Sequence, residues 1–160
     1  MLACASLTPS DMTDVNFYQL AGRPLDAVLP RLLDKAVAAG FRSVVRSADV
    51  ALLARLDAAL WTFDAASFLP HAVDGPFAAE QPILLTTATG DANAADLIVV
   101  VDGDLPADLT PYRRALYLFD GSDSAALDRA RSDWRAVKSR PGVTPVYWRE
   151  SDGGRWEKAA

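Results

Sequence analysis

Leu97-Ile98-Val99-Val100-Val101-Asp102, or LIVVVD, is the stretch on which the fold turns. Its five apolar residues run without any polar alternation, so both faces of the strand they form must be covered, as in the middle of a parallel sheet. Asp102-Gly103-Asp104 then ends the strand with ordinary turn chemistry. On the C-terminal side, residues 115–119 (ALYLF) read as another strand, Gly121 turns the chain, and Ser122 or Asp123 can cap a helix over 125–139. Pro141-Gly142 breaks that helix ahead of a last strand at 144–148.

On the N-terminal side, residues 91–96 form a turn, Ile83-Leu84-Leu85 is a shorter apolar run, and 76–82 is a loop. Val44 and Val45 centre a brief strand at 43–46, and VNFYQL at 15–20 makes the first strand, punctuated by Gly22 and Pro24. Between these two, Leu25, Val28, Leu29, Leu32, Leu33 and Val37 recur at helical spacing up to Gly40, a C-cap candidate. Pro30 lies inside that pattern and should kink the helix or mark its true beginning. Ser47 or Asp49 can cap a further helix whose stripe is Leu52, Leu53, Leu56 and Leu60. Strands alternating with helices at these lengths predict an α/β chain with one open, mostly parallel, doubly wound (Rossmann-like) sheet flanked by helices.

A chain of 160 residues, about half of them hydrophobic, can bury a core as a single domain without staples. Cys4 is the only cysteine and His71 the only histidine, so the usual Cys/His zinc set and an internal disulfide are both excluded. No apolar run approaches the roughly 20 residues of a membrane span, and the first residues lack a basic n-region, which leads us to expect a cytoplasmic protein.

The net charge of −5 hides a segregation. Between Arg55 and Arg113 there is no Lys or Arg, while Asp57, Asp64, Asp74, Glu80, Asp91, Asp96, Asp102, Asp104 and Asp108 fall inside that window. From Arg113 to Arg140 the sign reverses, with Arg113, Arg114, Arg129, Arg131, Arg135, Lys138 and Arg140 outnumbering their acidic neighbours. A small basic face on an acidic protein suits an acidic peptide better than a long nucleic-acid track, which needs many phosphate contacts.

Phosphate-cradling motifs are absent. AGRPLD follows the first strand, with neither G-x-G-x-x-G nor G-x-x-x-x-G-K-[ST], so no run of glycine amides approaches a pyrophosphate. Asp102 and Asp104 could form a hard-metal or acid/base pair at a strand's carboxyl end, although turn chemistry explains them more simply. His71 could serve as a general base, but no serine or cysteine motif accompanies it, and a histidine after Phe-Leu-Pro is expected to hold a loop by hydrogen bonding. No cofactor and no metal are expected.

Two stretches are better candidates. Residues 60–71, LWTFDAASFLPH, read as an irregular connection that carries Trp61, Phe63 and Phe68. From pattern alone Trp61 reads as a core plug, and Phe68 equally as a plug or an interface anchor. In the late helix, Leu127, Ala130, Trp134 and Val137 form one apolar stripe. Arg131, Arg135 and Lys138 form a cationic row beside it with Trp134 at the edge. Guanidinium groups take carboxylates bidentately and an aromatic edge receives an apolar side chain, so this face suits an acidic peptide with a hydrophobic terminus.

VNFYQL, LDAALWTFDAASFLPH and ALDRARSDWRAVK, in that order, resemble the chi subunit of the bacterial replicative DNA polymerase III holoenzyme over nearly the whole chain from Val15. LW followed by SF-x-PH is the specific part of the match. The resemblance implies a chi-like α/β domain over 12–160, with Met12 as the family's starting point and residues 1–11 as a disordered extension or an upstream start. It also implies a non-catalytic accessory subunit of the clamp-loader complex. Such a subunit binds the acidic, phenylalanine-ended C-terminal tail of single-stranded-DNA-binding protein and meets DNA only indirectly. By position, Arg131, Trp134 and Arg135 match the family's Arg, Tyr and Lys. Leu127 stands where a further basic residue is expected, which weakens the charge contact or moves it to Lys138 or Arg140. Trp61 and Phe68 match the anchors for the psi subunit or a repair helicase. The rival reading is a small α/β enzyme acting on a nucleotide or phosphorylated metabolite, with Asp102, Asp104 and His71 around a pocket at the strand ends. The adaptor reading predicts no such pocket.

Overall fold

In chain order the elements are β1 (Thr13–Leu20), α1 (Leu25–Ala38), β2 (Ser43–Arg46), α2 (Val50–Thr62), β3 (His71–Val73), β4 (Ile83–Thr86), β5 (Leu97–Val100), β6 (Arg114–Asp120), α3 (Ser124–Lys138), β7 (Val143–Glu150) and β8 (Trp156–Lys158). They come from a computed structural model that describes residues 12–63, 69–88, 93–103 and 105–160. Asp64, Phe68, Asp91, Asp104 and the expected extension at 1–11 lie outside the described residues.

One eight-stranded sheet runs β3-β4-β2-β5-β6-β1-β7-β8, with every ladder parallel except that of β7 with β8. LIVV occupies the middle as expected: all four residues of β5 are buried between β2 and β6. β1 leads through α1 to the β2 side of the sheet, and β6 leads through α3 across β1 to β7. The winding therefore reverses beside β1, and helices cover both faces.

Each face has its own core. Leu29, Leu33, Leu53, Leu56 and Leu60 of α1 and α2 pack with Val45, Leu85, Val99 and Leu118. On the opposite face Ala130 and Val137 of α3 pack with Phe17, Ile98, Tyr117 and Phe119. At roughly 1.5–3 kcal/mol for each fully buried large apolar side chain, the two layers supply the main force holding the sheet between its helices.

Capping agrees with the residue types. Asp49 and Asp123 are the N-caps of α2 and α3, each carboxylate accepting two backbone N–H groups of the first turn. After α1, Gly40 adopts φ +88°, and the amides of Gly40 and Phe41 donate to the carbonyls of Val37 and Ala36 at 3.0 and 2.9 Å. That pair of bonds closes the helix with the left-handed residue that glycine takes without strain.

The structure departs from expectation at four places. α1 begins at Leu25 with Pro30 buried inside it, so the proline does not mark the helix start. α2 continues to Thr62, which puts Trp61 in its last turn and not in an irregular connection. β3 opens at His71, within a stretch that read as loop, and pairs with β4. β7 is not the last strand, because β8 returns antiparallel beside it. No helix among the described residues is long and apolar enough to cross a membrane.

Candidate functional site

Helical periodicity gives α3 three different sides. Ala130 and Val137 are buried against the sheet, Trp134 is half-buried at the border, and Arg131, Arg135 and Lys138 are exposed. Trp134 stands edge-on to two rings of the sheet, Phe17 at 5.3 Å and 84° and Tyr147 at 5.6 Å and 89°. Such T-shaped contacts set the positive ring edge against the negative ring face and hold the indole in one orientation. Lys138 Nζ lies 5.9 Å from the Trp134 ring centroid, within cation–π range. Arg131 and Arg135 make no ion pair or hydrogen bond among the described residues. Thus Arg131, Trp134, Arg135 and Lys138 do come together, as two uncommitted guanidinium groups beside a fixed aromatic wall.

β7 contributes residues that the sequence reading did not single out. Tyr147 packs against Trp134, lies nearly parallel to Phe17 with ring centroids 6.4 Å apart, and donates its hydroxyl hydrogen to Gln19 Oε1. Burial raises the Tyr147 hydroxyl above its ordinary value, while Arg149 and Arg131 pull it the other way. Two cations from different elements therefore bear on one hydroxyl. A signal was present, since Tyr147 and Arg149 share one strand face, but only the parallel crossover brings that face to α3.

Trp61 is 58% exposed, which corrects its reading as a core plug. Its ring lies 4.6 Å from that of His71, tilted by 52°. His71 is buried, donates from Nδ1 to the Leu69 carbonyl at 2.6 Å, and sets Nε2 3.0 Å from Asp57 Oδ1. The histidine thus ties the loop end to α2, as its sequence context suggested, and gives Trp61 a floor. Phe68 lies outside the described residues, so only one member of the expected pair has a position.

The family described as DNA polymerase III chi subunit, HolC, matches residues 12–144. The chain belongs to that family. A "Probable DNA polymerase III subunit chi" of Rickettsia prowazekii is 34% identical over 91 residues, 56% of this chain and 55% of that one. The DNA polymerase III subunit chi of Pseudomonas aeruginosa is 30% identical over 110 residues, 67% of this chain and 77% of that one. This chi-family chain therefore spans about half the length of the first relative and three quarters of the second.

The two described residues of the rival enzyme reading, His71 and Asp102, do not converge in this chi-family fold. His71 pairs with Ile83 at the amino ends of the strands, whereas Asp102 follows the carboxyl end of β5. Asp102 Oδ2 accepts from Ser47 Oγ and the Ala48 amide, both at 2.9 Å, so it fastens the end of β2. A cavity of about 370 Å³ near Asp102 is lined by Asp102, Gly103, Tyr117, Asp120, Asp123 and Arg129, and His71 takes no part in it. Its lining is predominantly acidic among charged groups, which disfavours a phosphorylated ligand. Tyr117 donates to Asp133 Oδ2 at 2.6 Å beside it. Among the described residues no group of three or more His, Cys, Asp or Glu side chains is arranged to hold a metal.

Proposed function

We propose that this chi-family chain is a non-catalytic accessory subunit of the clamp-loader complex. It tethers the replicative polymerase to coated single-stranded DNA by binding the acidic C-terminal tail of single-stranded-DNA-binding protein. The observation that carries the reading is the pairing of uncommitted cations with a fixed ring: Arg131 and Arg135 exposed beside Trp134, with Lys138 over its indole. Tail carboxylates are captured by the guanidinium groups, and the terminal phenylalanine packs against the indole edge. Trp61, with Phe68, serves a second partner, the psi subunit or a repair helicase.

Calorimetric titration with the last ten or so residues of the host's single-stranded-DNA-binding protein tests this at low and high salt. Micromolar binding is expected, weakening with salt and lost when the terminal phenylalanine is deleted. Arg131→Ala should cost about 1–2 kcal/mol, the range for a charge contact that stays partly wet. Unchanged affinity in that variant removes Arg131 from the site, and absence of binding at low salt removes the reading.

A further inference from the structure

On the reading of α3 as the acceptor of an acidic tail, on which this inference rests, we propose that Arg149 of β7 is a further specificity-determining residue. The tail then crosses the trough between α3 and β7, with carboxylates held from both sides, instead of following the helix.

The geometry comes from the direction of the chain. β7 is parallel to β6 through β1, and α3 connects β6 to β7, so α3 runs antiparallel to β7. The contact of Trp134 with Tyr147 at 5.6 Å fixes the two elements against each other. Moving back from Trp134 to Arg131 covers about 4.5 Å of helix, and moving forward from Tyr147 to Arg149 covers about 6.6 Å of strand in the same direction. Arg131 and Arg149 therefore flank the Tyr147 hydroxyl at one level, and both influence its titration.

Arg149 is also uncommitted. It is exposed and forms no ion pair or hydrogen bond among the described residues. Glu157 stands opposite it in the β7–β8 register but does not close an ion pair. In the same strand pair the neighbouring Glu150 is buried and bonded to Arg23 at 3.1 Å, so the sheet edge uses arginine for structure at one position and leaves it free at the next. A free guanidinium held by a strand, facing two free guanidiniums on a helix, makes a two-sided clamp for a chain that carries several carboxylates.

The test is titration of the full chain with an acidic peptide ending in phenylalanine. Arg149→Ala, Arg149→Lys, Glu157→Gln, Arg131→Ala and, on the opposite helical layer, Arg31→Ala are compared with the parent. Arg149→Ala is expected to bind roughly three- to tenfold more weakly, with a shallower salt dependence, and Arg149→Lys to recover part of the loss. Glu157→Gln should bind more tightly because the competing carboxylate is gone, and Arg31→Ala should match the parent. If Arg149→Ala and Glu157→Gln both match the parent while Arg131→Ala loses binding, the proposal is overturned and the tail reading stands. If the parent itself fails to bind, the tail reading falls and this proposal with it.

Discussion

At the scale of single residues, similar side chains are put to opposite uses by their surroundings. Trp134 is wedged between Phe17 and Tyr147, while Trp61, also helical, is 58% exposed. The sequence could not separate them, because Trp61 sits one residue after Leu60 of the buried stripe and its exposure depends on where α2 stops. The tyrosines are easier to test. Burial raises the hydroxyls of Tyr18, Tyr117 and Tyr147 above the ordinary 10.0, with the bond from Tyr117 to Asp133 adding to its shift. The neutral form is thereby favoured in the folded state. As pH climbs through about 10 the unfolded chain releases protons that the folded chain keeps, so stability is fully present below that value and is lost above it. Urea denaturation at pH 9 and pH 11 should give a lower midpoint at the higher pH, and Tyr117→Phe should reduce the difference. Equal pH dependence in the variant and the parent would show that Tyr117 contributes nothing to it.

At the scale of elements, the end of β1 and the turn after β6 are fitted together by a missing side chain. Gly121 donates its amide to the Leu20 carbonyl at 2.9 Å, and a Cβ there would lie 2.6 Å from Gln19 Cγ and 2.9 Å from the Leu20 carbonyl oxygen. Gly121→Ala should therefore cost about 1–3 kcal/mol through overpacking against backbone. The denaturation midpoint should fall with an unchanged m-value, and an unmoved midpoint would mean that the turn has room to spare. Because Gln19 also accepts from Tyr147, the same turn supports the wall of the α3 site. Elements of this kind were legible in proportion to their own length and apolarity. LIVVV announced β5 because a strand buried on both faces carries its signal within itself, and α3 announced itself through caps and a clean stripe. β3 and β8 span three residues each and exist because β4 and β7 offer an edge, so neither His71-Ala72-Val73 nor Trp156-Glu157-Lys158 has a period to read. The cationic row of α3 was visible in the same way, whereas Arg149 required the crossover to be known.

At the scale of the whole molecule, the basic window of the sequence shrinks once its members are placed. Arg113 pairs with Asp96 at 3.1 Å and lies with Arg114 over the Phe41 ring, Arg129 lines the cavity beside Asp102, and Arg140 donates to the Pro106 carbonyl at 3.2 Å. Among the described residues Arg131 and Arg135 of α3 and Arg149 of β7 are exposed without an ion pair or hydrogen bond, and Lys138 lies over the Trp134 ring, so these four make up the basic face. Four cations neutralising four phosphates give a slope no steeper than about −3 in log K against log salt for a single strand, too few for firm binding at physiological ionic strength. The net charge of −5 opposes a polyanion further. Bare single-stranded oligonucleotide should therefore give no anisotropy change with micromolar protein at about 0.15 M salt, where the Debye length is near 8 Å. The same oligonucleotide coated with single-stranded-DNA-binding protein should bind, and lose that binding when the coat protein lacks its acidic tail. The compact face is large enough for a short acidic segment and too small for a nucleic-acid track, which is why the two experiments should divide. Binding to the bare strand as tight as to the coated one would instead make direct contact with DNA the function of this basic face.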